Sequence, residues 1–146
     1  MKNHPEVYQL FAYGSLRSGF RSPAYEYISR YFDLIGEAKV KGELFDLGTY
    51  PAAKPTGQNK FIIGELYRIR NENEFAWAIG QLDDYEGVNV AFDEMLLYRR
   101  EITEVYIDNK VTNAWMYWYV GDVKDKPVIE SGDVLQYMEQ KKQSLS

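Results

Sequence analysis

Three carboxylates fall close together in the segment Leu82-Asp83-Asp84-Tyr85-Glu86-Gly87, where a helical pattern runs out. The helix macrodipole favours cations at a C-terminus, so each exposed carboxylate there costs about 0.3–1 kcal/mol. Three interpretations are open: a solvated helix end capped by Gly87, a Mg²⁺ or Ca²⁺ site, or a carboxylate pair for glycoside hydrolysis. The metal interpretation lacks further acidic residues at an obvious spacing.

A second segment, Tyr13-Gly14-Ser15-Leu16, follows a short apolar run. Glycine allows backbone angles that direct successive N–H groups to one point, which makes an anion-binding nest. A turn that simply ends a strand has the same composition. The segment therefore predicts either a nest or a plain turn.

The composition restricts the chemistry that these segments can do. There is no cysteine, and the one histidine, His4, lies near the N-terminus. Thiolate nucleophiles, zinc fingers and disulfides are excluded, and so is a Ser–His–Asp triad built on a central histidine. An enzyme of this composition must use carboxylates and backbone groups.

The charge and hydropathy patterns limit the classes of partner that we expect the protein to bind. Seventeen basic and 22 acidic side chains give a net charge of −5, which argues against general binding to nucleic acid. We find no run of about eighteen apolar residues and no apolar signal-peptide core, so we expect no membrane association and a cytoplasmic location. With no linker or repeat in view, we expect one domain spanning residues 1–146.

Secondary structure is predicted from the apolar spacing and the turn residues. We expect strands over residues 8–13 and 34–47, a helix starting at Ser22-Pro23, and a loop over 48–58. We then expect a strand over 61–69, a helix from Asn71 that ends at 83–87, and a final helix over 132–142. Residues 95–107 and 111–120 predict a hairpin with a three-residue turn at Asp108-Asn109-Lys110. Strands dominate, which favours an α+β fold: a small, mixed, mostly antiparallel β-barrel with flanking helices.

Taken together, the motifs resemble the gamma-glutamylcyclotransferase-like family, of the gamma-glutamylamine cyclotransferase type. The similarity covers residues 11–137, and Val134 departs from it where many members have Trp. The segments that carry the resemblance, in chain order, are Phe11-Ala12-Tyr13-Gly14-Ser15-Leu16-Arg17-Ser18-Gly19, Tyr50-Pro51-Ala52, Leu82-Asp83-Asp84-Tyr85-Glu86-Gly87, Tyr98-Arg99-Arg100 with Ile102 and Val105, and Ser131-Gly132-Asp133.

The resemblance implies an enzyme that releases an amine from a gamma-glutamyl amide, while the glutamyl part leaves as 5-oxoproline. It implies that Glu86 is the catalytic residue and that Tyr13, Gly14, Ser15 and Leu16 form the substrate-binding loop. The implied enzyme is an acyltransferase or amide-cleaving lyase that uses no cofactor and no metal. Its partner is a small-molecule gamma-glutamyl amide, and the leaving amine and the oligomeric state stay open.

Physical chemistry explains why such a reaction needs few groups. The substrate's own α-amine attacks its side-chain carbonyl, and well-oriented intramolecular attacks reach effective molarities of about 10⁵–10⁸ M. One carboxyl can take the ammonium proton and return a proton to the leaving amine if its pKa approaches the working pH. An exposed glutamate titrates near ~4.3, so burial or like charge must raise the pKa of Glu86.

For the charged residues that accompany Glu86 we expect no catalytic role. Asp83 and Asp84 either add like charge to Glu86 or, as we favour, mainly shape the turn. Arg99 and Arg100 alternate in a strand, so at most one points inward, and we favour solvated arginines over a carboxylate-binding one. A non-catalytic small-molecule or protein-binding module with the same fold is the alternative function, and a metal-dependent hydrolase is a third.

Overall fold

The computed structural model describes residues 7–14, 23–47, 51–86 and 98–144, and within them it describes the side chains of all but 23–25, 84–86 and 141–144. These ranges contain seven strands, three α-helices and one short 3₁₀ turn. In chain order the elements are β1 (Gln9–Ala12), α1 (Pro23–Tyr31), β2 (Phe32–Lys41), β3 (Glu43–Asp46), β4 (Pro51–Lys54), β5 (Phe61–Ile69), the 3₁₀ turn (Glu72–Glu74), α2 (Phe75–Glu86), β6 (Tyr98–Ile107), β7 (Lys110–Tyr119) and α3 (Val134–Ser144).

Five strands close into a barrel in the order β1-β5-β2-β6-β7. Adjacent strands of the barrel pair in antiparallel fashion. The exception is β7, which pairs in parallel with β1 at Leu10 and Trp115 and so closes the ring. The strands β3 and β4 form a separate antiparallel pair. The predicted fold, a small mixed and mostly antiparallel barrel with flanking helices, is confirmed.

Buried side chains form two clusters because successive residues of a strand point to opposite faces of the sheet. Leu10 of β1 belongs to a cluster that includes Ile28 of α1 and Leu82 of α2. Its neighbour Phe11 belongs to a second cluster, which includes Leu44 of β3 and Val134 of α3. Both faces of β1 are thus covered, and α2 packs over one of them.

Several predicted elements are confirmed with adjusted bounds. The predicted strand over 34–47 is two strands, β2 and β3, and the register of β2 shifts between Leu34 and Gly36. The side chain of Asn71 accepts a hydrogen bond from the Asn73 N–H at 3.0 Å and caps the 3₁₀ turn that leads into α2. The predicted C-terminal helix is α3.

Two predictions about local structure are wrong. The loop over 48–58 contains a strand, β4, because buried alanines follow its first residue, Pro51. The β6–β7 turn has two residues, Asp108 and Asn109, both with positive φ, which suits a two-residue hairpin turn. Helix α2 ends at Glu86, within the predicted range 83–87.

The start of α3 explains how Val134 is accommodated. Gly132 has a φ of +69°, and its carbonyl accepts the Ile63 N–H at 2.7 Å. The Asp133 side chain accepts the Gln136 N–H at 3.2 Å, as an N-cap does. Val134 is buried there. None of the helices in the described ranges has the length and apolar character needed to span a bilayer.

Candidate functional site

The end of β1 carries the first candidate segment. Tyr13 is buried, and its hydroxyl donates to the backbone carbonyl of Tyr117 in β7. Gly14 packs so closely on Pro51 that a Cβ at position 14 would lie 3.3 Å from Pro51 Cγ. Ser15 and Leu16 lie outside the described residues, so the nest proposed for residues 13–16 stays a prediction.

A glycine in the neighbouring strand β5 determines how closely the end of β1 approaches that strand. A Cβ at Gly64 of β5 would overlap the carbonyl oxygen of Ala12 and lie 2.6 Å from Cζ of Phe11. Only glycine allows so close an approach of two strands. The path of β1 into Tyr13 and Gly14 therefore depends on the absence of a side chain at position 64.

The first residue of β4 links two of the motifs. The Tyr98 hydroxyl donates to the carbonyl oxygen of Pro51 at 2.7 Å, while the ring of Pro51 faces Gly14. Tyr98 also makes an edge contact with Tyr119, with ring centroids 5.5 Å apart. Three motifs that lie far apart in the sequence, at positions 13–14, 51 and 98, thus meet in space.

The end of α2 carries Asp83, which is the one buried charged side chain among those that the structure describes. Its two carboxylate oxygens accept hydrogen bonds from Nε and Nη2 of Arg100 in β6, at 2.7 and 2.9 Å. Oδ1 also accepts the Tyr117 hydroxyl at 2.8 Å. A paired fork of this kind fixes both the distance and the plane of the carboxylate. Asp83 therefore joins α2 to two barrel strands.

Arg100 is held from two sides. Its guanidinium faces Asp83 and also stacks over the ring of Trp115, with Cζ 4.4 Å from the ring centroid. Arg99 points the other way and pairs with Glu101 on the surface at 3.0 Å. The prediction that at most one of the two arginines points inward is confirmed.

Two expectations for these residues are wrong. We favoured solvated arginines, but Arg100 binds a carboxylate in the partly buried face of β6. We also favoured a turn-shaping role for Asp83, which instead lies within α2 and pairs across to the barrel. Because Arg100 neutralises Asp83, that carboxylate does not act on its surroundings as an isolated negative charge. The side chain of Asp84 lies outside the described part.

The backbone of α2 shows on which face of the helix position 86 lies. Phe75, Ile79 and Leu82 are buried along one face of the helix, and residues spaced three or four apart share a face. Position 86 is four residues after Leu82 and three after Asp83, so it falls on that face. The side chain of Glu86 lies outside the described part of the structure, and its catalytic role stays a prediction.

Tyr117 is the residue where these segments converge. Its backbone carbonyl binds Tyr13 from β1, and its hydroxyl binds Asp83 from α2. Sequence reasoning did not single out Tyr117 for this role. The available signal was weak: a tyrosine brings a hydroxyl that needs a partner when it is buried.

No group of three or more His, Asp or Glu side chains is placed to hold a metal ion in the part of the chain that the structure describes. The carboxylate of Asp83 already has three donors. Asp83, Arg100 and Tyr117 form a hydrogen-bonded group that joins α2 to the barrel.

Comparison with known proteins identifies the family. The profile of the family described as gamma-glutamyl cyclotransferase, AIG2-like, matches residues 10–136. The gamma-glutamylcyclotransferase family protein YtfP of Escherichia coli K12 is 30% identical over 128 residues, which cover 87% of this chain and 96% of YtfP.

Solved structures show the same fold. The solution structure of ytfP from Escherichia coli is similar with a TM-score of 0.61 and 28% identity, covering 89% of this chain and 98% of ytfP. An AIG2-like protein from Mus musculus has a TM-score of 0.62 at 20% identity, over 86% of this chain and 87% of the mouse chain. YkqA from Bacillus subtilis has a TM-score of 0.69 at 23% identity, over 92% of this chain and 42% of YkqA. The chain belongs to the AIG2-like gamma-glutamyl cyclotransferase family.

Proposed function

We propose that this protein is a gamma-glutamyl cyclotransferase that releases an amine from a gamma-glutamyl amide and forms 5-oxoproline, with Glu86 as general base and then general acid. The observation that carries the proposal is the convergence at Tyr117, where β1 and α2 are hydrogen-bonded to one residue. Membership of the family supports the same reaction class.

The proposed reaction needs one proton shuttle and no external nucleophile. Glu86 takes a proton from the substrate's α-ammonium, and the freed amine nitrogen attacks the γ-carbonyl carbon of the same molecule. A new C–N bond closes the five-membered ring, and the original amide C–N bond breaks as Glu86 returns the proton to the leaving amine. The second proton that the ring nitrogen must lose also passes through Glu86 to the amine, which leaves as an ammonium ion. Water is not consumed, and the products are 5-oxoproline and the amine.

The position of Glu86 suits this role because its helix face is the one that packs on the barrel. Burial disfavours the charged form of a carboxyl and raises its pKa toward the working pH. The acid then loses and regains a proton easily, which is what general acid–base catalysis requires. Nearby Asp83 is neutralised by Arg100, so in this proposal burial rather than like charge raises the pKa of Glu86.

In this proposal the segment 13–16 binds the anionic group of the substrate. We assign the backbone N–H groups of Gly14, Ser15 and Leu16 to the substrate, where they hold either its carboxylate or the oxyanion that develops on the γ-carbonyl. Tyr13 fixes the start of this segment, since its hydroxyl donates to the backbone carbonyl of Tyr117 in β7.

The test is an assay of gamma-glutamyl amines and peptides, with 5-oxoproline detected by mass spectrometry. We expect at least one donor to be converted without added metal, and we expect Glu86→Gln to lower the rate by about 100-fold or more. Glu74→Gln is the matched control, because Glu74 is an exposed glutamate just before the same helix. Conversion of no donor, or substantial activity in Glu86→Gln, would contradict the proposal, and the first result would favour a binding module.

A further inference from the structure

The Asp83–Arg100 ion pair lies one helical turn before position 86. In an α-helix, residues three apart have Cβ atoms about 5–6 Å apart. A charge fixed at position 83 is therefore close enough to affect proton exchange at position 86.

The pair is poorly exposed to solvent. The side chains of Asp83 and Arg100 are 7% and 22% exposed. Water and salt screen charges strongly only where they can reach them. Each charge of this pair would act strongly on its neighbours if the other charge were removed.

The pair is also fixed in position. Arg100 is held between Asp83 and the ring of Trp115. From the strands packed against the helix, the charged and titratable groups that contact the Asp83 carboxylate are Arg100 of β6 and Tyr117 of β7. The other carboxyls of the helix end belong to Asp84 and Glu86.

We propose that Asp83 and Arg100 are positioning residues, a charge-neutral pair that anchors the last turn of α2 to β6 and keeps both of their charges from acting on Glu86. This inference rests on the proposed catalytic role of Glu86. An unpaired carboxylate at 83 would hold the Glu86 proton too tightly, and an unpaired guanidinium at 100 would make Glu86 too weak a base. With the pair intact, the surroundings of Glu86 set its proton affinity.

The proposal predicts opposite effects from removing the two partners. We would follow the ¹³C signal of the Glu86 carboxyl by NMR during a pH titration, assigning the signal by its loss in Glu86→Gln. Arg100→Gln should move the titration midpoint up and Asp83→Asn should move it down, each by about one pH unit. The double variant should return the midpoint close to the wild-type value. A purely structural role would not give shifts of opposite sign.

Controls separate charge from folding. Asp33→Asn and Arg70→Gln break a second Arg–Asp pair that is exposed, and they should leave the Glu86 midpoint unchanged. If Arg100→Gln does not fold, Arg100→Lys keeps the charge and should leave the midpoint near wild type, while Asp83→Asn still lowers it. Unchanged midpoints in Asp83→Asn, or shifts in the same direction for both partners, would overturn the proposal.

The titration needs no turnover, so it can be judged separately from the reaction. Absence of 5-oxoproline from the wild-type protein, with opposite shifts present, would overturn the proposed function and support the role of the pair. Formation of 5-oxoproline with no shifts would support the function and overturn the role of the pair.

Discussion

Two arginine–aspartate pairs among the described residues share one contact distance and differ in their surroundings. In both, the arginine Nε lies 2.7 Å from Oδ1 of the aspartate. Asp83 and Arg100 are largely buried at the end of α2, whereas Asp33 and Arg70 are 63% and 50% exposed. The same bond is thus formed once between solvent-exposed groups and once within a packed interface.

The difference shows that distance alone does not measure what an ion pair contributes. An exposed pair is worth about 0–1 kcal/mol, since water and ions compete for both groups. Breaking a buried pair costs about 3–5 kcal/mol, because one charge is left desolvated and alone. Arg70 also has other acceptors: it donates to the carbonyls of Ser29 and Arg30, at 2.9 and 2.8 Å, in the last turn of α1. Arg70 therefore retains acceptors if Asp33 is removed.

The largest expected effect is that of Asp83→Ala. It leaves Arg100 without its carboxylate and removes the acceptor of the Tyr117 hydroxyl. We expect a loss of about 3–5 kcal/mol in the free energy of unfolding, measured by urea denaturation. The matched Asp33→Ala should lose no more than about 1 kcal/mol. Equal losses in the two variants would remove the contrast between the pairs.

Tyr117→Phe should have the next largest effect. It keeps the ring in the core and removes one hydrogen bond to a charged group, for which about 1.5–3 kcal/mol is typical. The backbone carbonyl that binds Tyr13 is unchanged. Urea denaturation of this variant measures how much the Tyr117 hydroxyl contributes, through Asp83, to the free energy of unfolding. A stability equal to wild type would mean that Arg100 alone holds the carboxylate.

Arg100→Lys tests the fork and the stacking at constant charge. An ammonium cannot make both hydrogen bonds in one plane, and it does not stack on Trp115 as a guanidinium does. We expect a loss of about 1–2 kcal/mol, smaller than that of Asp83→Ala, because the opposite charge remains. A loss as large as that of Asp83→Ala would show that geometry outweighs charge at this pair.

The smallest effect is expected at the exposed pair. Asp33→Asn should change the free energy of unfolding by less than about 1 kcal/mol at low salt. Since the Debye length falls to about 3 Å at 1 M salt, the difference from wild type should vanish there. A loss that persists in 1 M salt would mean that Asp33 acts through a contact other than its charge.

The local sequence predicted the parts of the fold that depend on local patterns. Apolar spacing predicted the helix from Asn71 to 83–87 and the strand at 61–69, and five ordered motifs indicated the family. The strand Pro51–Lys54 was missed because the two prolines and two glycines of residues 48–58 are typical of a loop. Its pairing with Glu43–Asp46 and the burial of Ala52 and Ala53 are tertiary effects.

The candidate site was predicted unevenly for the same reason. Its segments were found as motifs, but the partner of Arg100 was not, because Asp83 and Arg100 meet only when α2 packs on β6. The predicted end of α2, at 83–87, contains its observed last residue, Glu86. Arg100 offsets the charge of Asp83, which local patterns do not show.

The absence of a side chain at position 64 determines where the end of β1 lies. At position 64 the chain has only hydrogen, so β1 can settle onto β5 and bring its end toward Pro51 and Tyr117. An alanine at position 64 would push Phe11 and Ala12 away from β5 and so displace Tyr13 and Gly14, which follow them. The absence of a side chain at Gly64 thereby determines where Tyr13 and Gly14 lie relative to Pro51 and Tyr117.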